Sequence, residues 1–363
     1  MKVGLVSPDP SLYGGIANWT RLMKRYVSVS RLGISLTIIT VMAGEKGTWK
    51  RLLPLRILRG SWEVLVKYIE LKRFIKKENP DVVHFTAGGG FSILRDVILL
   101  KLSRQAGIPT VYQLRFGKIK DIARLNTREW RTLLRAFRYS TLVMTVDSQT
   151  CKELKKCLPR LSVVYIPNPF DPSILPELKP THSKTVVFLG LVEQAKGIED
   201  LLVGWKKIHH QHPDWHLNLI GPGNKTYLKY LTDNFSLSGV SFLGRKDHGQ
   251  TLDLLNNAEI FISPSYTEGF PNSVLEAMAL SKPIIASSVG ALPDMLSGNC
   301  GILISPKSPR AIERAVVELI DNPSKRGLLA KNAKKKADQK FCIDKIFIQY
   351  CLAWSKLSKK RYK

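Results

Sequence analysis

Residues 268–279 read E-G-F-P-N-S-V-L-E-A-M-A, and this stretch is the strongest indication of the fold in the chain. A short apolar run before this stretch predicts a buried strand, and Asn272 or Ser273 is a suitable N-cap for the apolar helix that follows. A strand, a polar loop and a helix N-terminus in this order present backbone N–H groups, which attract phosphate. A ligand over the helix start could therefore contact both Glu268 and Glu276. Equally, the two glutamates could be surface acids that only cap or pair.

The length and composition of the chain favour two globular domains. Its 363 residues exceed what one hydrophobic core usually serves, and the 44% hydrophobic content is ordinary for a globular protein. The N-terminus lacks the apolar run of a signal peptide, and no stretch reaches the ~18 apolar residues of a membrane span. The five cysteines have neither zinc-site nor disulfide-scaffold spacing. We therefore expect a protein of the reducing cytoplasm.

The net charge of +27 is the most unusual bulk property. Residues 1–180 contain 31 Lys and Arg against 13 Asp and Glu, whereas residues 181–363 contain 25 against 16. Most of the excess positive charge therefore belongs to the first half, where it requires an anionic partner. Nucleic acid is disfavoured because no zinc-finger spacing or RNP-type aromatic motif accompanies the charge. An anionic membrane surface is the partner we favour.

Residues 49–77 are basic and apolar together, and they carry the membrane prediction. Pro54 and Gly60 divide the segment, which predicts a short interfacial stretch followed by a helix. Most lysines and arginines of that helix are expected away from its apolar face. That apolar face is predicted to carry Trp62, Leu65, Ile69 and Phe74. Such a helix can lie among lipid headgroups. An ordinary core-facing helix with a solvated basic side is the alternative.

Strands alternate with helices throughout both halves, which predicts doubly wound parallel sheets. Gly14 and Gly15 follow the first strand, and they either let the backbone approach a ligand or form only a tight turn. They do not form the Gly-x-Gly-x-x-Gly motif of NAD-binding proteins. Arg115 follows a strand at 109–114, at the sheet edge where ligands collect. His84 lies inside an apolar run and is expected to be a hydrogen-bonded core histidine.

The second half begins its own alternation of strands and helices near Lys184. Lys196-Gly197 follow the first of these strands and precede a helix. A lysine in such a loop can neutralise a diphosphate, although from this stretch alone a solvated lysine is the simpler interpretation. A proline-rich connection at 166–172 marks the domain boundary. We predict an N-terminal Rossmann-like domain at 1–170, a C-terminal one at 171–340, and a helix with a basic tail at 341–363.

Taken together, these motifs resemble the retaining glycosyltransferases of family 4, which have the α/β GT-B fold of two facing Rossmann-like domains. The strongest match is the Glu-x7-Glu block that Glu268 and Glu276 enclose. The weaker matches are Gly14-Gly15, Ile166-Pro167-Asn168, Lys196-Gly197, Gly221-Pro222-Gly223 and residues 289–294. The matches extend over nearly the whole chain. The resemblance implies a GT-B fold, and we expect the C-terminal helix to pack back on the N-terminal domain.

The resemblance also implies roles for the site residues. Glu268 would face the donor sugar, Lys196 would hold the diphosphate, and Glu276 would hold the ribose of a UDP- or GDP-linked sugar. The N-terminal domain would bind a glycan or lipid-linked acceptor, and no metal or other cofactor would be needed. The remaining donor-binding positions would be Gly14, Gly15, Gly269, Phe270, Pro271, Asn272, Ser273, Val274 and Leu275.

Two positions depart from the family pattern. The family usually has Gly-Arg ahead of its Lys-Gly, and that arginine also holds diphosphate, whereas this chain has Gly190-Leu191. Arg115 replaces a family histidine and is counted with the catalytic residues, because it could reach the phosphates or the acceptor.

The expected function is retaining transfer of a sugar from a nucleotide donor, in the synthesis of cell-surface polysaccharide or glycolipid. The alternative is a weak or inactive GT-B protein that only binds a sugar nucleotide or glycan. A GT-B epimerase or phosphorylase is a further rival, although no pyridoxal-phosphate lysine motif supports a phosphorylase.

Overall fold

The computed structural model of the protein describes residues 1–12, 14–30, 32–41, 53–117, 119–178 and 183–361, and leaves out the side chains of 53–59, 120, 360 and 361. The chain divides into two compact units. The first comprises Met1–Asn168 with Ile346–Lys363, and the second comprises Pro169–Lys345. In the described residues each unit contains a six-stranded sheet whose paired strands are all parallel.

The described part of the first unit alternates strands and helices, and its strand order is β2-β1-β3-β4-β5-β6. Every residue of β3 and β4 is buried, because helices cover both faces of the sheet. Both strands are mainly apolar, and their polar residues, His84, Thr86, Thr110 and Gln113, are buried as well. The elements are β1 (Lys2–Pro8), α1 (Gly15–Val29), β2 (Ser35–Val41), α2 (Leu53–Glu78), β3 (Val82–Ala87), α3 (Ser92–Gln105), β4 (Thr110–Leu114), α4 (Ile119–Arg124), α5 (Arg128–Tyr139), β5 (Leu142–Thr145), α6 (Ser148–Cys157) and β6 (Val163–Tyr165).

The second unit has the strand order β12-β11-β10-β7-β8-β9 in its described residues. Short 3-10 turns at Pro172–Ile174 and Gln194–Lys196 accompany its regular elements. These are β7 (Thr185–Leu189), α7 (Ile198–Gln211), β8 (His216–Ile220), α8 (Lys225–Asn234), β9 (Val240–Gly244), α9 (His248–Asn256), β10 (Ile260–Ser263), α10 (Asn272–Ala279), β11 (Ile284–Ser287), α11 (Leu292–Leu296), β12 (Ile302–Ile304), α12 (Pro309–Asp321) and α13 (Pro323–Lys340). The last helix is α14 (Ile343–Arg361), and its residues from Ile346 onward belong to the first unit.

Helix α14 packs on the sheet of the first unit, as the sequence predicted. The indole Nε1 of Trp354 donates a hydrogen bond to Nδ1 of His84 at 3.1 Å. Gln113 donates to the Tyr350 hydroxyl at 2.7 Å, and Phe347 packs against Tyr26 with ring centroids 4.9 Å apart. His84 is fully buried, which confirms the core histidine, and its burial lowers its pKa to about 3.

Helix α2 begins earlier than the sequence predicted and does not break at Gly60. It starts at Leu53, so Pro54 lies in the first turn, where its missing N–H removes no helical hydrogen bond. One glycine inside a long helix costs only about 1 kcal/mol, which tertiary packing of the helix offsets. The interfacial stretch predicted before Gly60 lies outside the described residues, apart from the backbone of 53–59.

The four apolar residues predicted to share one face of α2 do not share it. Trp62, Leu65 and Ile69 are exposed, whereas Phe74 points toward the sheet. A Cβ atom added to Gly4 of β1 would lie 2.5 Å from the Phe74 ring. At about 100° of rotation per residue, Phe74 lies roughly 120° around the helix axis from Trp62, so the predicted common face was wrong. Among the described residues, no helix is long and apolar enough to cross a membrane.

Candidate functional site

In the second sheet the order of the strands reverses between β7 and β10. Strands β8 and β9 lie on one side of β7, and β10, β11 and β12 lie on the other. At such a switch point the loops after the two central strands separate, and α/β proteins bind ligands there. The loop after β7 carries Lys196, and the loop after β10 carries Glu268. The structure brings these two predicted residues together, with Lys196 Nζ 2.6 Å from Glu268 Oε1.

The Lys196 loop packs closely on the Glu268 loop. Gly197 has a φ of +71°, and an added Cβ would lie 2.2 Å from the carbonyl oxygen of Pro264, so a larger residue cannot be accommodated without movement. The N–H of Tyr266 donates to the carbonyl of Ala195 at 2.9 Å. These contacts fix the backbone on which Lys196 stands, so its ammonium group is held beside Glu268.

The turn after β11 supports the Glu268 loop from the other side. The N–H of Ala291 donates to the carbonyl of Gly269 at 2.9 Å. Gly290 has a φ of +55°, and an added Cβ would lie 2.2 Å from the carbonyl oxygen of Glu268. The requirement for glycine at this position agrees with the Gly-Ala turn that the sequence pattern singled out. The Glu268 loop is therefore held between two neighbouring loops.

The Glu268 carboxylate is partly buried. Its side chain is 12% exposed and that of Lys196 is 23% exposed. Besides the lysine, Ser265 Oγ donates to Glu268 Oε1 at 2.7 Å. A partly buried ion pair of this kind places a fixed positive charge and a fixed carboxylate at the mouth of the switch point. Sequence reasoning did not identify Ser265, although its position directly after β10 could have suggested it.

Helix α10 begins at Asn272, and Pro271 is its N-cap. The prediction of Asn272 or Ser273 as N-cap was therefore wrong, because the helix starts one residue earlier than side-chain preference indicated. Proline has no side-chain acceptor that could cap this N-terminus by a hydrogen bond. The first intrahelical bond runs from Leu275 N–H to the Pro271 carbonyl at 3.2 Å. The first-turn amides and the helix dipole therefore face the loop that carries Glu268, an arrangement that favours an anion.

Several predicted donor-binding residues have buried side chains. Phe270, Val274 and Leu275 are at most 6% exposed, so they can contact a ligand only through their backbone. Phe270 instead packs its ring against Phe341, with centroids 5.5 Å apart. Their side chains anchor α10 to the core of the second unit. Gly269, Asn272 and Ser273 are partly exposed at the helix start.

Glu276 has a partner that sequence reasoning missed. Its Oε1 lies 3.0 Å from Nε2 of His248, and the two side chains are 16% and 37% exposed. His248 is the first residue of α9, which Asp247 and Gln250 begin with a capping box. The signal was present in the sequence, because His248 follows β9 at the same sheet edge as Lys196 and Glu268. Across the described residues, no group of three or more His, Cys, Asp or Glu side chains could hold a metal ion.

Gly14 and Gly15 belong to the first unit. Gly14 is the N-cap of α1, and its carbonyl accepts a hydrogen bond from Asn18 N–H at 2.9 Å. Glycine has no side chain that could cap α1, and this N-terminus lies at the carboxyl edge of its sheet. The assignment of Gly14 and Gly15 to a donor phosphate stays a prediction.

Arg115 lies inside the first unit at the end of β4. Its Nη2 donates to Asn168 Oδ1 at 2.8 Å, and its guanidinium carbon lies 4.3 Å from the centroid of the Trp19 ring. Burial lowers the pKa of Arg115 to about 10, while the nearby Tyr350 hydroxyl opposes that shift. Its Nη1 is buried and has no hydrogen-bond partner among the described residues. Arg115 thus joins β4, α1 and the end of the unit, and its catalytic role stays a prediction.

Solved structures define the class of fold. Sucrose-phosphate synthase from Thermosynechococcus elongatus aligns with a TM-score of 0.80 at 19% identity, over 98% of both chains. HepE of Anabaena in complex with UDP-glucose aligns with a TM-score of 0.73 at 18% identity, over 98% of this chain and 100% of HepE. Identities this low show the fold alone. The protein has the GT-B fold, with two Rossmann-like domains.

The second unit is more specifically defined by sequence. Residues 173–336 match the family model described as Glycosyl transferases group 1, so the chain contains a domain of this group. The matched segment includes Lys196, Glu268 and Glu276. CapM of Staphylococcus aureus, a capsular polysaccharide biosynthesis glycosyltransferase, is 28% identical over 162 residues, which are 42% of this chain and 41% of CapM. The chain spans about half the length, or less, of the curated relatives that it matches. The aligned segment covers 48% of one such relative and 38% of another.

Proposed function

We propose that the protein is a retaining glycosyltransferase of family 4 that uses a nucleotide-sugar donor. The observation that carries this proposal is the 2.6 Å contact between Lys196 and Glu268 at the switch point of a glycosyl transferases group 1 domain. In the proposed complex Lys196 turns from Glu268 to the donor diphosphate, and Glu268 faces the sugar. Glu276, one turn into α10, holds the ribose with His248 behind it.

The proposed chemistry needs orientation and charge more than a nucleophile. The bond between the anomeric carbon and the diphosphate oxygen breaks as the acceptor oxygen bonds to that carbon from the same side. The departing diphosphate takes the acceptor's proton. Lys196 and the α10 N-terminus offset the negative charge that develops on the leaving group, so no metal is required in this scheme.

The proposed partners follow from charge and from relatives. UDP-glucose is the first donor to test, since HepE is structurally similar and was solved with it, and GDP-sugars are the second class. The similarity to CapM, a capsular polysaccharide biosynthesis glycosyltransferase, supports a role in cell-surface polysaccharide synthesis. A glycan or lipid-linked acceptor is therefore proposed, with glycolipid synthesis as the second possibility. The basic N-terminal domain would bind that acceptor at the inner, cytoplasmic face of an anionic membrane.

The decisive experiment is a donor panel of UDP- and GDP-sugars with release of nucleoside diphosphate as the readout. We expect turnover of at least one donor, an unchanged rate with EDTA, and NMR showing that the product keeps the donor's anomeric configuration. Binding of a donor by calorimetry without any turnover, with or without acceptor extracts, would support the alternative of an inactive binding protein. An inverted product would contradict the retaining mechanism.

Leu191→Arg tests whether the diphosphate lies near the loop after β7. Leu191 is 38% exposed, so an arginine can be accommodated at this position. Because a charge-assisted hydrogen bond contributes about 1.5–3 kcal/mol, we expect the donor KM to fall by roughly 10-fold or more. Leu191→Gln is the neutral control and should leave KM unchanged. Equal KM values for the arginine and glutamine variants would place the diphosphate elsewhere.

A further inference from the structure

Large apolar side chains are exposed around the middle of helix α2 and at the start of helix α3. Trp62 is 67% exposed, and Phe91, just before α3, is 83% exposed. We define the apolar tip as Trp62, Leu65, Ile69, Phe91, Leu94 and Ile98, all of them exposed. Single exposed apolar residues are normal on a protein surface, but a group this large on two neighbouring helices indicates an interaction site.

Basic side chains follow the apolar tip on the same sides of both helices. On α2 the basic residues and Trp62, Leu65 and Ile69 lie within the same roughly 140° around the helix axis. The sequence predicted that they would lie on different sides of the helix, and that prediction was wrong. Buried Leu71 and Ile75 occupy the opposite, sheet-facing side. We define the basic collar as Lys72, Arg73, Lys76, Lys77, Lys101 and Arg104, all of them exposed. At 1.5 Å per residue, the collar is centred about 13 Å along each helix from the tip.

The two helices run side by side in the same direction. Each leads from the carboxyl end of one strand back to the amino end of the next parallel strand. Glu63, in the middle of α2, lies 3.7 Å from Arg95, in the first turn of α3. The exposed apolar residues of α2 and α3 therefore belong to neighbouring parallel helices, and the basic residues follow them along both helices.

A groove of about 500 Å³ lies between α2, α3 and α5, where the tip meets the collar. Tyr68 and Ile98 contribute apolar walls, and Lys101, Arg135 and Arg138 contribute positive charge. A phospholipid could place its acyl chain against the apolar walls of this groove and its phosphate beside the cations.

We propose that this face docks on a bilayer of anionic phospholipid, with the apolar tip among the headgroups and the basic collar beside the lipid phosphates. Charge complementarity favours this occupant, because residues 60–78, 92–105 and 128–139 contain 12 Lys and Arg against 5 Asp and Glu. Trp and Phe beside Leu and Ile, with lysines further along the helix, are typical of interfacial segments that enter the headgroup region by about 5–10 Å.

Docking in this orientation places the membrane next to the edge of the first sheet where ligands bind. The N-termini of α2 and α3 lie at the carboxyl ends of β2 and β3, the same edge at which Gly14 and Arg115 stand. A lipid-linked acceptor could therefore reach that edge without leaving the bilayer. This consequence for the acceptor rests on the proposed glycosyltransferase function, whereas the docking itself does not.

Flotation of the full chain with phosphatidylcholine vesicles, with and without phosphatidylglycerol, tests the docking. We expect flotation only with phosphatidylglycerol and a decrease as salt is raised. Trp62→Ser/Leu65→Ser and Lys72→Gln/Lys76→Gln should each weaken vesicle binding by roughly 10- to 30-fold. The matched controls are Ile348→Ser/Leu352→Ser on exposed positions of α14 and Lys331→Gln/Lys335→Gln on exposed positions of α13, and neither should change binding.

Tryptophan fluorescence tests the insertion of the tip. Among the described residues Trp62 is the exposed tryptophan, and the other five are at most 8% exposed. In a Trp49→Phe background, lipids brominated on the acyl chain should quench fluorescence on vesicle binding. Trp62→Phe in the same background should remove that quenching.

The proposal would be overturned if vesicle binding fell equally in the tip, collar and control variants. It would also be overturned if vesicle binding did not depend on phosphatidylglycerol. Capture of an acidic protein with no vesicle binding would assign the face to a protein partner instead. Nucleoside diphosphate release into water without acceptor should be the same in the tip variants and the wild type. A failure of docking with retained turnover, or the reverse, therefore separates this proposal from the proposed function.

Discussion

Lys196→Met is expected to lower kcat for cleavage of the nucleotide-sugar donor by about 100- to 1,000-fold. The backbone of Lys196 belongs to a loop that cannot shift easily, since Gly197 already packs on the Pro264 carbonyl. Its ammonium group lies 2.6 Å from Glu268, and a side-chain rotation alone is needed to bring it to the bound diphosphate. A charge held in this way stabilises the departing diphosphate without reorganising at the moment of reaction. The effect should appear mainly in kcat, because the diphosphate gains charge as the glycosidic bond breaks. Steady-state release of nucleoside diphosphate measures it.

Lys307→Met is the matched control, because it removes an exposed lysine close to the same loop. The Lys307 ammonium group lies 5.4 Å from the ring centroid of Tyr266, a residue of the loop that carries Glu268. It should change kcat by less than about 3-fold, as most surface substitutions do. Combining Lys196→Met with Glu268→Gln tests whether the pair acts as a unit. If it does, the double variant should be about as slow as the slower single variant. A Lys196→Met enzyme as fast as Lys307→Met would remove Lys196 from the chemistry.

The sequence predicted the fold of both units because parallel α/β sheets are locally specified. Strands such as β7 and β10 are short, mainly apolar runs, and each is followed by a turn and a helix. The Glu-x7-Glu block is equally local, since one loop and one helix start hold both glutamates. What local patterns could not supply is the order of strands. The contact of Lys196 with Glu268, 72 positions away in the chain, depends on β7 lying beside β10.

The faces of the helices were less predictable than their positions. Helix α2 has two apolar sectors, one on the sheet with Leu71 and Ile75, and one exposed with Trp62 and Leu65. Apolar periodicity identifies a stripe but does not say which stripe meets the core, because that depends on the strand against which the helix lies. His248 was missed for a related reason, since its neighbour Glu276 is supplied by a different helix.

We expect the first unit to become less stable as pH falls, because His84 would have to be protonated. This histidine is fully buried and joins α14 to the sheet. An indole can only donate, so His84 Nδ1 must accept from Trp354, and Nε2 therefore carries the proton that goes to Gln113 Oε1 at 3.1 Å. Gln113 in turn donates to Tyr350, which completes a chain of hydrogen bonds between the sheet and α14. Protonation of Nδ1 would break the bond to Trp354 and charge a buried ring.

We therefore expect the free energy of unfolding to fall by about 2 kcal/mol between pH 7.5 and pH 5 on account of His84 alone. The sign follows from the pKa of His84, which burial lowers from 6.5 to about 3 in the folded chain. Below pH 6.5 the unfolded chain binds a proton that the folded chain refuses, so stability is present above this pH and is lost as pH falls toward 3. Urea unfolding at several pH values, followed by hydrogen exchange of β3 and α14, measures the slope.

His84→Asn separates this effect from general acid unfolding, because the Asn side-chain oxygen can still accept from Trp354 but does not titrate in this range. The variant should be less stable at neutral pH, since the ring leaves a space, and its stability should vary less between pH 7.5 and pH 5. His216→Asn, at an exposed position on β8, is the matched control and should keep the slope of the wild type. A slope in His84→Asn equal to that of the wild type would mean that other groups, and not His84, set the acid sensitivity of the first unit.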